Sequence, residues 1–155
     1  MVIDWLFSNH DSTPANFLIN TLSGDIFGID KDQTFKYFTY DRLDLKYLPN
    51  GKDFKPLTKT VIEWLAAQRR LSIQLIENIL KQIESFPDAE LKRIIGPFAP
   101  KYVLSHTYEF REPGAAEKFL NVFFNRKHTL RNDFELFFQE VNKKSPVLTE
   151  NYIQG

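Results

Sequence analysis

The spacing of apolar residues divides the chain into two parts of different character. From residue 2 to about residue 58, short apolar runs are interrupted by polar and glycine-containing turns. From residue 60 to about residue 144, apolar residues recur at helical spacing. The first part predicts strands and loops, and the second part predicts helices. We therefore expect a mainly α protein with one short β-hairpin, which belongs to the α+β class.

A hairpin is predicted in the first part of the chain. Residues 16–20 and 25–30 are two short runs of β type, and the intervening residues 21–24 end in Gly24. A glycine in a short polar connection between two such runs is typical of a hairpin turn. Residues 37–55 are rich in turn-forming residues, and no regular element is predicted there.

Helix start and stop signals divide the second part of the chain. Thr60 and Glu63 fit a capping box, which predicts a helix from about Val61. Ser72 is a candidate cap for a second helix. One apolar stripe is predicted to continue across this region through Val61, Trp64, Leu65, Leu71, Leu75, Ile79 and Ile83.

Two more helices are predicted towards the end of the chain. One begins near Pro87 and ends at Gly96, and a long one follows Pro113 and continues to about Lys143. The basic pairs at residues 69–70 and 126–127 are interpreted as solvated helix faces. The apolar stripe of the long helix comprises Ala116, Leu120, Phe123, Leu130, Phe134, Phe137, Phe138 and Val141.

Composition limits the number of domains and the classes of partner. A chain of 155 residues with 43 % hydrophobic residues can bury one core, so we predict a single domain over residues 1–145 with a loosely held tail at 146–155. Within it, residues 1–58 carry the loops and hairpin and residues 59–145 are helical. The net charge is zero, which argues against a nucleic-acid partner. No apolar run is long enough for a membrane span and no cysteine is present, so we expect a cytoplasmic protein.

The candidate chemistry lies around the predicted hairpin. Asp11 is followed five residues later by Asn16, and Asp30 follows the second predicted strand. A loop that leads into a hairpin returns the chain to the same edge, so these three side chains are expected to lie within reach of one metal ion. Carboxylate and amide oxygens are suitable ligands for Mg²⁺.

This constellation resembles the C-terminal lobe of the protein-kinase superfamily. The spacing of Asp11 and Asn16 matches the catalytic-loop pattern D-x-x-x-x-N, and Asp30 matches the metal-binding Asp of the D-F-G element. Residues 9–18 are most similar to the HipA-like and phosphatidylinositol-kinase-like branches; their sequence is Asn-His-Asp-Ser-Thr-Pro-Ala-Asn-Phe-Leu. Thr13 stands where those branches carry His. A fainter similarity is to kinase-like proteins associated with phage minor head, or head-morphogenesis, proteins.

The resemblance implies an ATP- and magnesium-dependent phosphotransferase. Asp11 would orient the acceptor hydroxyl, and Asn16 and Asp30 would hold Mg²⁺ against the phosphates of ATP. Leu18 and Ile29 would line the adenine side of the nucleotide. Only ten residues precede Asp11, so the small lobe that completes such a site is absent from these residues, and Lys31 and Asp32 stand where D-F-G continues with Phe and Gly. The chain alone is therefore expected to be inactive or nearly so.

Other interpretations of the same residues remain open. Asp11 and Asn16 are also common turn formers beside a proline, and Asp30 is a common strand terminator. The rival function is a noncatalytic, kinase-derived interaction module, and a phage-related structural or accessory domain is a third. In each case we expect exposed apolar surface around the hairpin, where the small lobe, a protein partner or a second copy in a homodimer would pack.

Overall fold

The computed structural model describes residues 2–9, 14–29, 34–35, 38, 41–43, 70–97, 99 and 113–144. Within these residues the chain is mainly helical and contains one two-stranded antiparallel sheet. The predicted class of a mainly α protein with a hairpin is thus confirmed. The predicted capping box at Thr60, the helix from Val61 and the tail after residue 145 lie outside the described residues.

The elements follow one another in a simple order. Helix α1 is Val2–Leu6, strands β1 and β2 are Phe17–Ile19 and Ile26–Gly28, and helices α2, α3 and α4 are Glu77–Ser85, Asp88–Ile95 and Ala115–Lys144. Short 3-10 helices at Pro14–Asn16 and Ile73–Ile76 precede β1 and α2. Helix α1 was not predicted, because five residues are too few to show a helical period.

The hairpin forms as predicted. Phe17 pairs with Gly28, Leu18 with Phe27 and Ile19 with Ile26. In the turn, Gly24 has φ of +77°, a conformation that residues with a side chain rarely adopt. The side-chain oxygen of Asn20 accepts a hydrogen bond from the backbone N–H of Leu22 at 3.0 Å, which holds the turn closed.

Helix α4 is the central element of the core. Its 30 residues extend over roughly 45 Å, and α1 and α2 both pack against it. All four aromatic residues of the predicted stripe are buried, which confirms that these phenylalanines serve as core. The fully buried apolar side chains of α4, at 1 % exposure or less, are Phe119, Phe123, Leu130, Phe134 and Val141.

The predicted stripe that leads into α2 is wrong at one of its described positions, residues 71–83. Leu75 is 42 % exposed, whereas Leu80, which the stripe omitted, is fully buried. The 3-10 helix Ile73–Ile76 has about three residues per turn, so the apolar face changes phase before α2 begins. Ser72 does stand at the start of that 3-10 helix, although its side chain makes no capping hydrogen bond.

Polar contacts attach the start of the α2 region to the end of α4. The side chain of Asn142 donates to the carbonyl oxygen of Leu71 at 2.7 Å and accepts from its N–H at 2.9 Å. Arg131 of α4 also binds Glu77 and Glu84 of α2, with shortest distances of 2.8 Å to each. These hydrogen bonds raise the pKa of Arg131, with Glu84 contributing most, and the Arg131 contact lowers the pKa of Glu77.

Candidate functional site

The structure describes three of the five predicted site residues. Asn16 ends the 3-10 helix before β1 and is 9 % exposed. Leu18 lies in β1 and Ile29 directly follows β2, and these side chains are 55 % and 39 % exposed. Asp11 and Asp30 lie outside the described residues, so the predicted meeting of all three polar side chains stays a prediction.

The described residues bring Asn16 and Ile29 together at the open end of the hairpin. The backbone N–H of Ile29 donates to the carbonyl oxygen of Asn16 at 2.9 Å, which continues the ladder one step beyond the pair of Phe17 and Gly28. Ile29 is the chain neighbour of Asp30. The hairpin therefore joins the backbone of the candidate amide ligand to the residue that precedes the candidate carboxylate ligand.

Phe27 lies beside the candidate residue Leu18, and the sequence interpretation omitted it. It pairs directly with Leu18, so both side chains project from the same face of the hairpin, and each is 55 % exposed. Because cross-strand partners are neighbours on one face, a flat aromatic ligand that contacts Leu18 would also contact Phe27. The pairing register of the hairpin is what places Phe27 beside Leu18.

Exposed apolar side chains concentrate on the hairpin, as the sequence predicts. Five of the ten large apolar side chains that are exposed among the described residues lie between residues 18 and 29. Large apolar side chains grouped on one small element usually mark a surface that contacts another molecule or domain. The five are Leu18, Ile19, Leu22, Phe27 and Ile29, and together we call them the hairpin surface.

Ser8 and Asn9, in the segment that precedes Asp11, belong to a buried polar network. Ser8 is fully buried with φ of +48°, and its hydroxyl donates to Oδ2 of Asp41 at 2.6 Å. Asn9 is 1 % exposed and donates from its side chain to Oδ1 of Asp4 at 3.0 Å. The backbone N–H of Phe35 donates to the carbonyl oxygen of Phe7 at 2.8 Å. The segments on both sides of the hairpin are thus held together.

Arg126 of α4 occupies the centre of this network. Its guanidinium donates to the carbonyl oxygens of Trp5 at 2.9 Å and Phe38 at 2.8 Å, and one of its nitrogens lies 3.6 Å from Oδ2 of Asp41. It also lies over the rings of Trp5 and Phe38, at 4.2 and 4.4 Å from their centres. Asp41 has no exposed side-chain surface and Arg126 only 7 %, so the ion pair is buried.

The interpretation of residues 126–127 as a solvated face is therefore wrong. Lys127 is also buried, at 4 % exposure, and its ammonium donates to the carbonyl oxygen of Phe86 at 2.7 Å and to Oδ1 of Asp88 at 2.6 Å. Both basic residues stand three or four positions after Phe123 and before Leu130, which places them on the buried stripe of α4. The periodicity places both residues on this face, and the acceptors that make their burial possible come from distant parts of the chain.

Asp88 at the start of α3 accepts hydrogen bonds from two residues of α4. Besides Lys127, the exposed His128 shares a hydrogen bond with it, with Nε2 2.7 Å from Oδ2. The hydrogen bond from Lys127 is the main cause that lowers the pKa of Asp88, and His128 adds to it. The carboxylate of Asp88 is therefore stabilised in its charged form in the folded protein.

A pH-dependent stability follows from this lowered pKa. The contribution of Asp88 is fully present above the ordinary aspartate pKa of about 4 and is lost as the pH falls through the lower folded value. We expect the difference in thermal midpoint between the wild type and Asp88→Asn to be constant at neutral pH and to shrink below about pH 4. Thermal unfolding followed by circular dichroism from neutral to acidic pH measures it.

Lys127→Met is the matched variant for this test. Because its ammonium is the main cause of the lowered pKa, we expect its loss to reduce the acid-dependent part of that difference. A wild-type and an Asp88→Asn profile that remain parallel down to the most acidic pH would contradict the prediction.

The fit of a magnesium ion to this region depends on oxygen ligands from the hairpin. No group of three or more His, Asp or Glu side chains that could hold a metal ion occurs among the described residues. The backbone of Asn16 is bonded to that of Ile29 at the hairpin end, and Asp30, which follows Ile29 in the sequence, lies outside the described residues. An amide oxygen and a carboxylate are ligand types that suit Mg²⁺, which needs few protein ligands when it also binds nucleotide phosphates.

Comparison with known proteins adds no assignment. No family model, curated protein or solved structure matches the chain. Among the helices in the described ranges, none is both long and apolar enough to span a membrane.

Proposed function

We propose that this chain supplies the C-terminal lobe of an ATP- and magnesium-dependent phosphotransferase of the kinase-like type. The observation that carries the proposal is the hairpin register. The hydrogen bond from Ile29 to Asn16 joins the second residue of the Asp11–Asn16 motif to the neighbour of Asp30. A loop, a strand, a turn and a second strand between these residues is the layout that phosphoryl transfer in this superfamily requires.

Each candidate residue has a defined role in this proposal. The acceptor oxygen forms a bond to the γ-phosphorus as the bond from that phosphorus to the β,γ-bridging oxygen breaks, and Asp11 accepts the proton of the acceptor hydroxyl. Asn16 and Asp30 hold Mg²⁺, which when bound neutralises charge on the phosphate oxygens. Leu18, Phe27 and Ile29 contact the adenine side of the nucleotide.

The hairpin surface supports the second part of the proposal, which is that another lobe covers the nucleotide. A site assembled from the hairpin alone leaves one side of the nucleotide in water. The exposure of Leu18 and Phe27, at 55 % each, matches a surface that contacts the base on one side and a covering lobe at its margin. The lobe would be part of another polypeptide or of a longer form of this chain.

Titration of the chain with Mg-ATP tests this function. Without a covering lobe we expect a dissociation constant on the order of a millimolar, which corresponds to about −4 kcal/mol. Chemical-shift changes at the amides of Gly28 and Ile29 and at the side-chain amide of Asn16 measure it. We expect saturable changes in the wild type and their loss in Asp30→Ala and Asn16→Ala, because these variants lack a magnesium ligand.

Asp25→Asn is the matched control, since it removes a carboxylate from the same hairpin at its opposite end, where Asp25 accepts a hydrogen bond from Ser23. It should bind Mg-ATP as the wild type does. Asp11→Ala should also retain binding, because its role is in transfer, and should abolish transfer once a small lobe is joined to the chain. The proposal would be overturned if the wild type showed no saturable shifts, or if Asn16→Ala and Asp30→Ala bound Mg-ATP as well as the wild type does.

The hairpin surface also favours a second candidate, a noncatalytic interaction module. In that case the exposed apolar side chains would contact a protein partner or a second copy of the chain, and no nucleotide would be needed. The two candidates differ in the titration, because only the phosphotransferase lobe depends on Asn16 and Asp30. Replacement of Leu18 and Phe27 by serine would affect both, and so does not separate them.

A further inference from the structure

We propose that Arg126 is a positioning residue that fixes the segment leading to Asp11 relative to the segment that follows the hairpin. The proposal rests on the proposed function for its catalytic meaning. Arg126 donates to one backbone carbonyl before Asp11, that of Trp5, and to one after Asp30, that of Phe38. It is thus bonded to the main chain on both sides of the candidate site.

The chemistry of the contacts requires an arginine. The guanidinium is planar and carries five N–H donors, so it can reach two carbonyl oxygens and a carboxylate while its face lies on aromatic rings. In this protein it does so at 2.9 Å from Trp5, 2.8 Å from Phe38 and 3.6 Å from Asp41, between rings at 4.2 and 4.4 Å. A lysine at the same position keeps the charge but cannot form these contacts together.

The backbone conformation near Asp11 shows that this segment is held against its own preference. Ser8 has φ of +48° without being a glycine, and such a conformation persists only where the surroundings impose it. Its hydroxyl donates to Asp41 at 2.6 Å, and Asp41 in turn is paired with Arg126. Phe35 also has positive φ, at +66°, and it bonds to Phe7 on the same side of the network.

This arrangement connects the buried helix to the reacting geometry. A catalytic side chain must keep its position within a fraction of an ångström, and support from a rigid element supplies that precision. Helix α4 is such an element. Its buried stripe continues on both sides of Arg126, because Phe123 before it and Leu130 after it have no exposed surface. Arg126 therefore transmits the rigidity of α4 to Trp5 and, through Asp41, to Ser8, in the segment that precedes Asp11.

Arg126→Lys tests the proposal, with Arg131→Lys as the matched control. Arg131 lies on the same helix and pairs with Glu77 and Glu84, which are remote from this network in sequence. In Arg126→Lys we expect amide hydrogen exchange at Ser8, Asn9 and Phe35 to accelerate about tenfold or more, with exchange in the middle of α4 unchanged. We also expect about tenfold weaker Mg-ATP binding, because the segment that Arg126 bonds after the hairpin follows Asp30, a magnesium ligand of the proposed function. The control should show neither effect.

A second variant keeps the test decisive if Arg126→Lys does not fold. Ser8→Ala removes only the hydroxyl that binds Asp41 and should accelerate exchange at the same three amides by a smaller factor. Acceleration that is uniform over the protein, or equal in the Arg131→Lys control, would overturn the positioning role.

The two proposals fail in different ways. If the wild type does not bind Mg-ATP, the proposed function is overturned. Arg126 then has no role in catalysis, although it still holds the two segments together. If the wild type binds and Arg126→Lys binds equally well despite faster local exchange, the positioning role alone is overturned.

Discussion

Phe123→Ala is expected to lower the free energy of unfolding by about 4 kcal/mol, which for a chain of this size corresponds to a decrease in thermal midpoint of about 12 °C. Phe123 has no exposed surface. Its ring centre lies 5.4 Å from that of Phe7 and 6.2 Å from those of Phe35 and Phe38. Truncation therefore opens a cavity where the α1 end, the segment after the hairpin and α4 meet.

Leu136→Ala is the control for this prediction. It lies on the same helix but is 56 % exposed, so we expect its free energy of unfolding to change by less than about 0.5 kcal/mol. Chemical denaturation of both variants measures the two changes, and Phe123→Leu should fall between them. If the two alanine variants were equally stable, the packing described for Phe123 would be wrong.

Asp41→Asn is expected to cost about 3 kcal/mol of stability, since it removes one charge from a buried pair and leaves the other. Arg126 is 7 % exposed and Asp41 has no exposed side-chain surface. The substitution keeps the size of the side chain and an oxygen that can accept from Ser8. The expected loss therefore reports mainly the charge, and urea unfolding at neutral pH measures it.

Two further variants make this prediction specific. Asp25→Asn also removes an aspartate near the hairpin, but an exposed one, and we expect it to cost less than about 1 kcal/mol. The double variant Asp41→Asn with Arg126→Met should be more stable than the sum of the two single changes, because it leaves no unpaired buried charge. Additive single and double variants would contradict the pairing.

Local sequence determined the secondary structure where a short-range signal was strong. The hairpin follows from two β-type runs around a turn that contains Gly24, whose positive φ favours glycine. Helix α4 follows from a long apolar stripe after Pro113, and α3 from Pro87 and Gly96 at its two ends. In these elements, the contacts that decide the conformation are between residues near one another in the chain.

The spacing of Asp11, Asn16 and Asp30 predicts a site from the sequence alone. The structure adds the hydrogen bond between Ile29 and Asn16, and with the hairpin register it adds Phe27. Asp11 and Asp30 are outside the described residues, so their part of the site still depends on the sequence pattern.

Only the tertiary structure decided the environment of the charged residues. Arg126 and Lys127 occupy the buried stripe of α4 because Trp5, Phe38, Asp41 and Asp88 bring acceptors to them from distant parts of the chain. A basic residue is buried only where such partners offset its loss of hydration, and a one-dimensional pattern does not show them. The exposure of Leu75 and the burial of Leu80 also required the structure, because a single 3-10 turn shifted the phase of the stripe.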